Sequence, residues 1–331
     1  PADGRNDTQL DEISTLPMST LRHLAMLCDI GGAEATKAAL GQLALAAGLY
    51  AKPTLVTKTL PKFGSWTTKG GVSQPEATVF RSDKKPLVII SFYYSFLTSA
   101  DLDPLEKLSE CLMHNGFEPV GLFAPSLKDP KASKWMANQI RRAKPAAIVN
   151  VTAFSGIGPD GLSPLDAGDV PIFQMALSTS TRKHWMKAER GLSPADLAMH
   201  VVLPEVDGRL NGGVGSFKQP CKRDRALEYS RFAHHADMGR VKALVNRLSA
   251  HVSLQSKKAK EKVAALVLST YPGKVWNMAH AVGLDALASA EAILDDLREN
   301  GYSIDNTTHL AQRLTTDYMH WDISEYEKEL C

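Results

Sequence analysis

Residues 87–94, Leu-Val-Ile-Ile-Ser-Phe-Tyr-Tyr, form an unbroken apolar run with no polar alternation. A strand written this way is buried on both faces, and such strands occur in parallel sheets covered by helices on both sides. The run opens a rhythm. Asp103-Pro104-Leu105-Glu106 reads as an N-cap, a proline in the first turn and an early carboxylate, and the helix it starts stops at Gly116. A strand over 119–124 follows, then a helix from Asp129-Pro130 to about Arg142 and a strand over 146–151. A fourth strand is expected over 170–176, and Ser193-Pro194-Ala195-Asp196 caps a short helix before a strand over 201–203.

The pattern returns later with a helix over 240–262, a buried strand over 263–269, a helix over 285–300 and a strand start at 302–304. Alternating strands and helices imply parallel sheets with right-handed crossovers. The fold class expected is therefore α/β, with Rossmann-like parallel sheets in two units behind an α-helical N-terminal segment. The boundaries read as a helical segment over 1–52, a connector over 53–85, a first α/β unit over 86–239 and the start of a second over 240–331. The chain opens on Pro1 and its last residues run straight to Cys331, as a piece of a longer polypeptide would.

Composition removes several function classes. Hydrophobic residues make up 44% and charged residues 22% of the 331, so the chain can build cores and is not disordered. Lys plus Arg number 38 against 36 acidic residues, a net +2 that offers no global field for nucleic acid or an anionic membrane. The uncharged stretches, 86–100 and 145–159, reach about 15 residues, short of the ~20 that span a bilayer. No secretion leader opens the chain, and a cytoplasmic location is expected. Cys28, Cys111, Cys221 and Cys331 form no CxxC pair, which excludes a zinc ribbon and a thioredoxin site and favours free thiols over disulfides.

Motifs narrow the chemistry further. Gly156-Ile-Gly158-Pro-Asp-Gly161 matches GxGxxG after a strand, but Pro159 and Pro164 prevent the helix whose first amides would hold a pyrophosphate, so the glycines read as turns. Gly273-Lys274 lacks both the first glycine of a P-loop and the hydroxyl that binds magnesium. His234-His235 reads as a solvated pair in a polar loop, and no histidines have the spacing of a helical metal site. Residues 218–262 carry 12 basic and 4 acidic side chains, a solvated face or a surface for carboxylates or an acidic partner. Glu205, Asp207, Arg209 and the glycine-rich run from Asn211 to Lys218 read equally as turns or as a ligand site. His280 falls after the 263–269 strand, at the edge where open α/β sheets bind ligands.

An ordered series of blocks adds a resemblance. They are Ser126-Leu-Lys-Asp-Pro130, Asn150-Val-Thr-Ala-Phe154, Gly191-Leu-Ser-Pro-Ala-Asp-Leu-Ala198, Val202-Leu-Pro-Glu-Val-Asp-Gly-Arg209, Ser216-Phe-Lys218 and Ala281-Val-Gly-Leu-Asp-Ala-Leu-Ala-Ser289. In this order they resemble the large subunit of aerobic cobaltochelatase, in the CobN/magnesium-chelatase H-subunit family. The resemblance implies a very large subunit that binds hydrogenobyrinic acid a,c-diamide and receives cobalt as substrate metal. It also implies two smaller AAA+-type subunits that use ATP and magnesium outside this chain. The family's later His/Glu stretch is absent, so the piece alone would be inactive. On that reading Glu205 and His280 are candidates for proton transfer, Arg209 and Lys218 for the ring's carboxylates, and Trp276 for its flat face; no metal ligand is assigned. The alternatives are a magnesium-chelatase H-type subunit and a docking module for the ATPase subunits.

Overall fold

The computed structural model describes residues 12–56, 59–78, 80, 85–268, 283–305, 309–316 and 322–329. They divide into two compact units meeting at Ala250 and His251. The first opens on two helices, α1 (Met18–Ile30) and α2 (Gly32–Ala46), joined at Gly31, whose φ of 66° suits glycine. Leu27, Ala35 and Ala38 form their small shared core.

An eight-stranded sheet follows. Its strands are β1 (Gly64–Thr67), β2 (Gly71–Ser73), β3 (Leu87–Tyr93), β4 (Glu118–Ala124), β5 (Ala147–Asn150), β6 (Ile172–Ser178), β7 (Leu210–Pro220) and β8 (Phe232–Ala236). They lie in the order β2-β1-β4-β3-β5-β6-β7-β8. The five strands from β4 to β7 are parallel, and β1, β2 and β8 flank them antiparallel. In chain order the parallel core reads 2-1-3-4-5, the flavodoxin-like arrangement whose ligand crevice opens at the carboxyl ends of the strands. The apolar run is β3, with Val88, Ile89, Ile90 and Phe92 wholly buried. Phe92 packs on Phe123 at 5.8 Å and edge-on to Trp66 at 5.9 Å, binding the β1–β2 hairpin into the core.

Helices α3 (Tyr94–Thr98), α4 (Asp103–His114) and α5 (Pro130–Ala143) connect the first strands. Asp129 caps α5, its carboxylate accepting from the Ala132 amide at 2.8 Å. Asp103 does not cap α4, because Leu102 holds that position; its carboxylate instead accepts from the Ala236 amide of β8 at 2.7 Å.

Other expectations are corrected. The 53–85 connector contains β1 and β2, whose short hairpin has too little alternation to read as sheet. Residues 201–203 are helical. They belong to a continuous helical stretch built from α7 (Pro194–Leu197), a π-turn over Ala198–Val202 and α8 (Leu203–Val206), with α6 (Arg182–Lys187) before it. The glycine-rich run is β7. A Cβ on Gly215 would sit 2.4 Å from the Met175 sulfur, and one on Gly212 would sit 2.6 Å from the Gln174 carbonyl. Close approach of β6 and its side chains therefore accounts for these glycines. No helix starts at Gly156; the crossover there holds only a 3-10 turn, Pro164–Gly168. Cys28, Cys111 and Cys221 are free thiols.

The helix α9 (Met238–Ser256) buries Val241, Leu244, Val245 and Leu248. Within the second unit, α10 (Ala286–Glu299) is capped by Asp285, and α11 (Leu310–Thr316) and α12 (Ile323–Glu329) follow. Residues 262–268 carry no strand pairing; Val263 is 95% and Val267 86% exposed. No strand forms at 302–304 either. Among the described residues no helix is long and apolar enough to cross a membrane.

Candidate functional site

Three structural features converge at the carboxyl edge of the parallel strands. The first lies at the switch point between β3 and β5. Ser91 donates to Asn150 Oδ1 at 2.5 Å, Asn150 Nδ2 donates to Gln174 Oε1 at 2.7 Å, and Gln174 Nε2 donates to the Thr152 carbonyl at 2.8 Å. Thr152 closes the network by donating to Asn150 Oδ1 at 2.8 Å. The network is buried and fixes the chain leaving β5. Tyr93 donates to the Ala153 carbonyl at 2.5 Å, and burial raises its pKa. Phe154 then adopts φ 66° with its ring half exposed, its amide donating to the Met199 carbonyl of the π-turn at 2.8 Å. A non-glycine residue in this region and a π-turn both mark places where the backbone is held against its local preference.

The second feature covers β6 and β7. Asp196, fully buried, accepts from the Thr179 amide at 2.9 Å and the Thr179 hydroxyl at 3.0 Å. One turn on, His200 is buried, and its Nδ1 has no hydrogen-bond partner among the described residues. His234 enters from β8, its Nδ1 3.1 Å from Ser216 Oγ and its amide donating to Asp101 at 2.9 Å. Burial pushes the His234 pKa down to about 4 and lowers that of His200, against the opposing pull of Asp101 and Asp196. Both rings are therefore neutral at neutral pH, and a neutral imidazole can accept a proton. The expectation of a solvated His234 is corrected. The ring faces inward because β8 is a strand, which alternates His234 in and His235 out. The polarity of its surroundings concealed that alternation in the sequence.

The third feature is a groove of about 550 Å³ at the carboxyl ends of β6 and β7, lined by Arg182, Lys183, Lys187 and Met186 together with Gln219 and Pro220.

Those of the residues singled out from sequence that the structure describes do not share one place. Lys218 lies at this edge, half-buried on β7 and paired in register with His234. Glu205 is exposed on α8, and Arg209 is buried just before β7 begins, at the strand's amino end. The expectation that both follow a strand is thus reversed: they precede one, because residues 201–203 are helical. Arg209 forms an ion pair with Asp166 of the crossover, and its Nη2 has no hydrogen-bond partner among the described residues. Asp207 holds the same crossover by accepting from Ser155 at 2.8 Å and the Gly156 amide at 2.7 Å. Trp276 and His280 lie outside the described residues. No group of three or more His, Cys, Asp or Glu side chains is arranged to hold a metal among the described residues.

Comparison with known proteins places this architecture. Residues 21–329 match the CobN/Magnesium Chelatase family model. The aerobic cobaltochelatase subunit CobN of Pseudomonas aeruginosa is 30% identical over 98% of this chain, which spans 27% of that protein. The chloroplastic magnesium-chelatase subunit ChlH of Oryza sativa subsp. indica is 28% identical over 53% of this chain and 12% of its own length. The catalytic subunit of cobaltochelatase from Mycobacterium tuberculosis superposes with a TM-score of 0.64 at 24% identity, covering 91% of this chain and 24% of that one, a likeness of fold. The chain spans about a quarter of the length of these cobaltochelatase proteins. With the family model matched along nearly its whole length, the chain belongs to the CobN/magnesium chelatase family.

Proposed function

We propose that this chain is part of the large, tetrapyrrole-binding subunit of a cobaltochelatase, acting in the cytoplasm in the ATP-dependent insertion of cobalt into hydrogenobyrinic acid a,c-diamide. The observation that carries this reading is coverage. The CobN relative aligns with 98% of the chain and the plant magnesium-chelatase subunit with 53%, which favours cobalt over the magnesium alternative. ATP hydrolysis with magnesium is assigned to two smaller AAA+-type subunits, in keeping with the missing P-loop.

Insertion exchanges the protons held on the ring's inner nitrogens for nitrogen–cobalt bonds and releases them. The reaction needs a base for those protons and cations for the ring's carboxylates. Glu205 and His280 are proposed for the protons, Lys218 for a carboxylate and Trp276 for the ring face. The exposed carboxylate of Glu205 and the position of Lys218 at the sheet's carboxyl edge support the first and third assignments. Arg209 is also proposed for a ring carboxylate; its Nη2 is the group left for one, since Nη1 holds Asp166.

The test uses the full polypeptide containing this stretch. Titration with hydrogenobyrinic acid a,c-diamide, followed by absorbance, should show binding, and Lys218→Glu should weaken it roughly tenfold. With the ATPase subunits and ATP added, cobalt should be inserted in preference to magnesium. Preferential magnesium insertion would overturn the metal assignment. A polypeptide that binds the ATPase subunits but no ring would instead establish the docking alternative.

A further inference from the structure

We propose that the groove at the carboxyl ends of β6 and β7, together with the hairpin joining β7 to β8, is a docking surface for an acidic face of another protein. The groove is lined by Arg182, Lys183 and Lys187 and by no carboxylate. Arg182 is held by Asp237 at 2.7 Å; Lys183 and Lys187 form no ion pair among the described residues. Gln219 and Pro220, which form one wall, lead straight into the hairpin, where Lys222 and Arg225 add two more cations that form no ion pair among the described residues. Asp237 and Glu228 offset Arg182 and Arg223, and among the described residues Lys183, Lys187, Lys222 and Arg225 have no acidic ion-pair partner.

The hairpin is also built to hold its shape. Its strands pair through Cys221 and Arg231 and through Asp224 and Tyr229, and Arg223 forms an ion pair with Glu228 across the tip. Arg231 anchors the base by donating to the carbonyls of Ser99 and Ala100 at 2.7 and 3.0 Å. A surface ordered in advance loses little entropy on binding.

Exposed apolar side chains decide the class of partner. Leu227 is 73% and Tyr229 60% exposed on the hairpin, Phe232 is exposed at its base opposite Pro220, and Met186 is exposed in the groove. A small anion would engage the cations and leave these four in water, whereas a protein face covers both kinds of group. Tyr, Met and Arg are the residues enriched in such interfaces. Nucleic acid is disfavoured because the chain as a whole, at +2, supplies no long-range field for a polyanion. This inference stands independently of the chelatase reading.

The test begins with a photo-reactive benzoylphenylalanine in place of Tyr229, in the polypeptide as the cell makes it. It should crosslink to another protein at an acidic segment. Binding of that partner, purified, should weaken at least ~tenfold with Lys187→Glu and Arg225→Glu together, and salt should weaken the unmodified pair more than the variant. Leu227→Ser should weaken binding and leave the salt dependence unchanged. All three positions are exposed, and an unchanged circular dichroism spectrum would exclude misfolding. No crosslink, a crosslink to nucleic acid or to the same polypeptide, or an affinity that charge reversal leaves unchanged would each overturn the proposal.

Discussion

Lowering the pH should destabilise the first unit through His234 on β8. The His234 pKa is about 4 in the folded chain, against 6.5 for an ordinary histidine, because burial outweighs the attraction of Asp101 and Asp196 while Lys218 and His200 oppose the charge. Above pH 6.5 the ring is neutral whether folded or unfolded, and the shift has no effect on stability. Between about 6.5 and 4 only the unfolded chain takes up the proton, so stability falls with pH across that window and levels off below it. At ~1.4 kcal/mol per pKa unit, the loss reaches about 3 kcal/mol from His234, and His200, also lowered, adds in the same direction. His234→Gln keeps a partner for Ser216 and removes the titration. Urea unfolding of the chain and of this variant at pH 7 and pH 4.5 isolates the effect, because the carboxylates common to both cancel in the difference. The variant should lose about 2–3 kcal/mol less than the parent over that interval. Equal losses would refute the claim that the ring is held neutral by burial.

Three further outcomes are expected. Asp166→Asn should destabilise the first unit more than Arg209→Met, because it leaves a buried guanidinium unpaired while the other change removes that charge; urea midpoints of the two variants give the order. Gly215→Ala should cost about 1–3 kcal/mol by driving a methyl into Met175, and Met175→Ala in the same chain should recover part of it, read by thermal unfolding. NAD should give no thermal shift, since the Gly156–Gly161 turn starts no helix; a stabilisation that rises with NAD concentration would contradict this.

The residues that announced themselves in the sequence were those whose environment is set by local pattern. The run at 87–94 read as a doubly buried strand because nothing polar interrupts it, and Asp129-Pro130 read as a helix start because its cap is made within four residues. Strand β7 stayed hidden because its glycines answer to β6, a neighbour 35 or more positions away, and resemble a flexible loop in sequence. Asp103 misled for the same reason: its partner, the Ala236 amide, lies 133 positions on. The buried pair His200 and His234 is assembled from a helix and an edge strand, and neither segment shows hydrophobic spacing that would mark an inward histidine. Arg209 read as a ligand group, and its ion pair with Asp166 depends on a crossover whose path only the fold determines.

Residues 263–268, Val-Ala-Ala-Leu-Val-Leu, bear on how this chain behaves in the test tube. They are uncharged, wholly apolar and free of proline, and Val263 and Val267 lie almost wholly in water without a strand partner among the described residues. Six residues of that composition are a template for intermolecular pairing. Self-association of the isolated chain should therefore begin here and grow with concentration while the large sheet remains folded. A single Val267→Lys substitution should suppress it, because one charge in such a segment acts as a gatekeeper. Light scattering over a concentration series separates this aggregation from unfolding of the first unit.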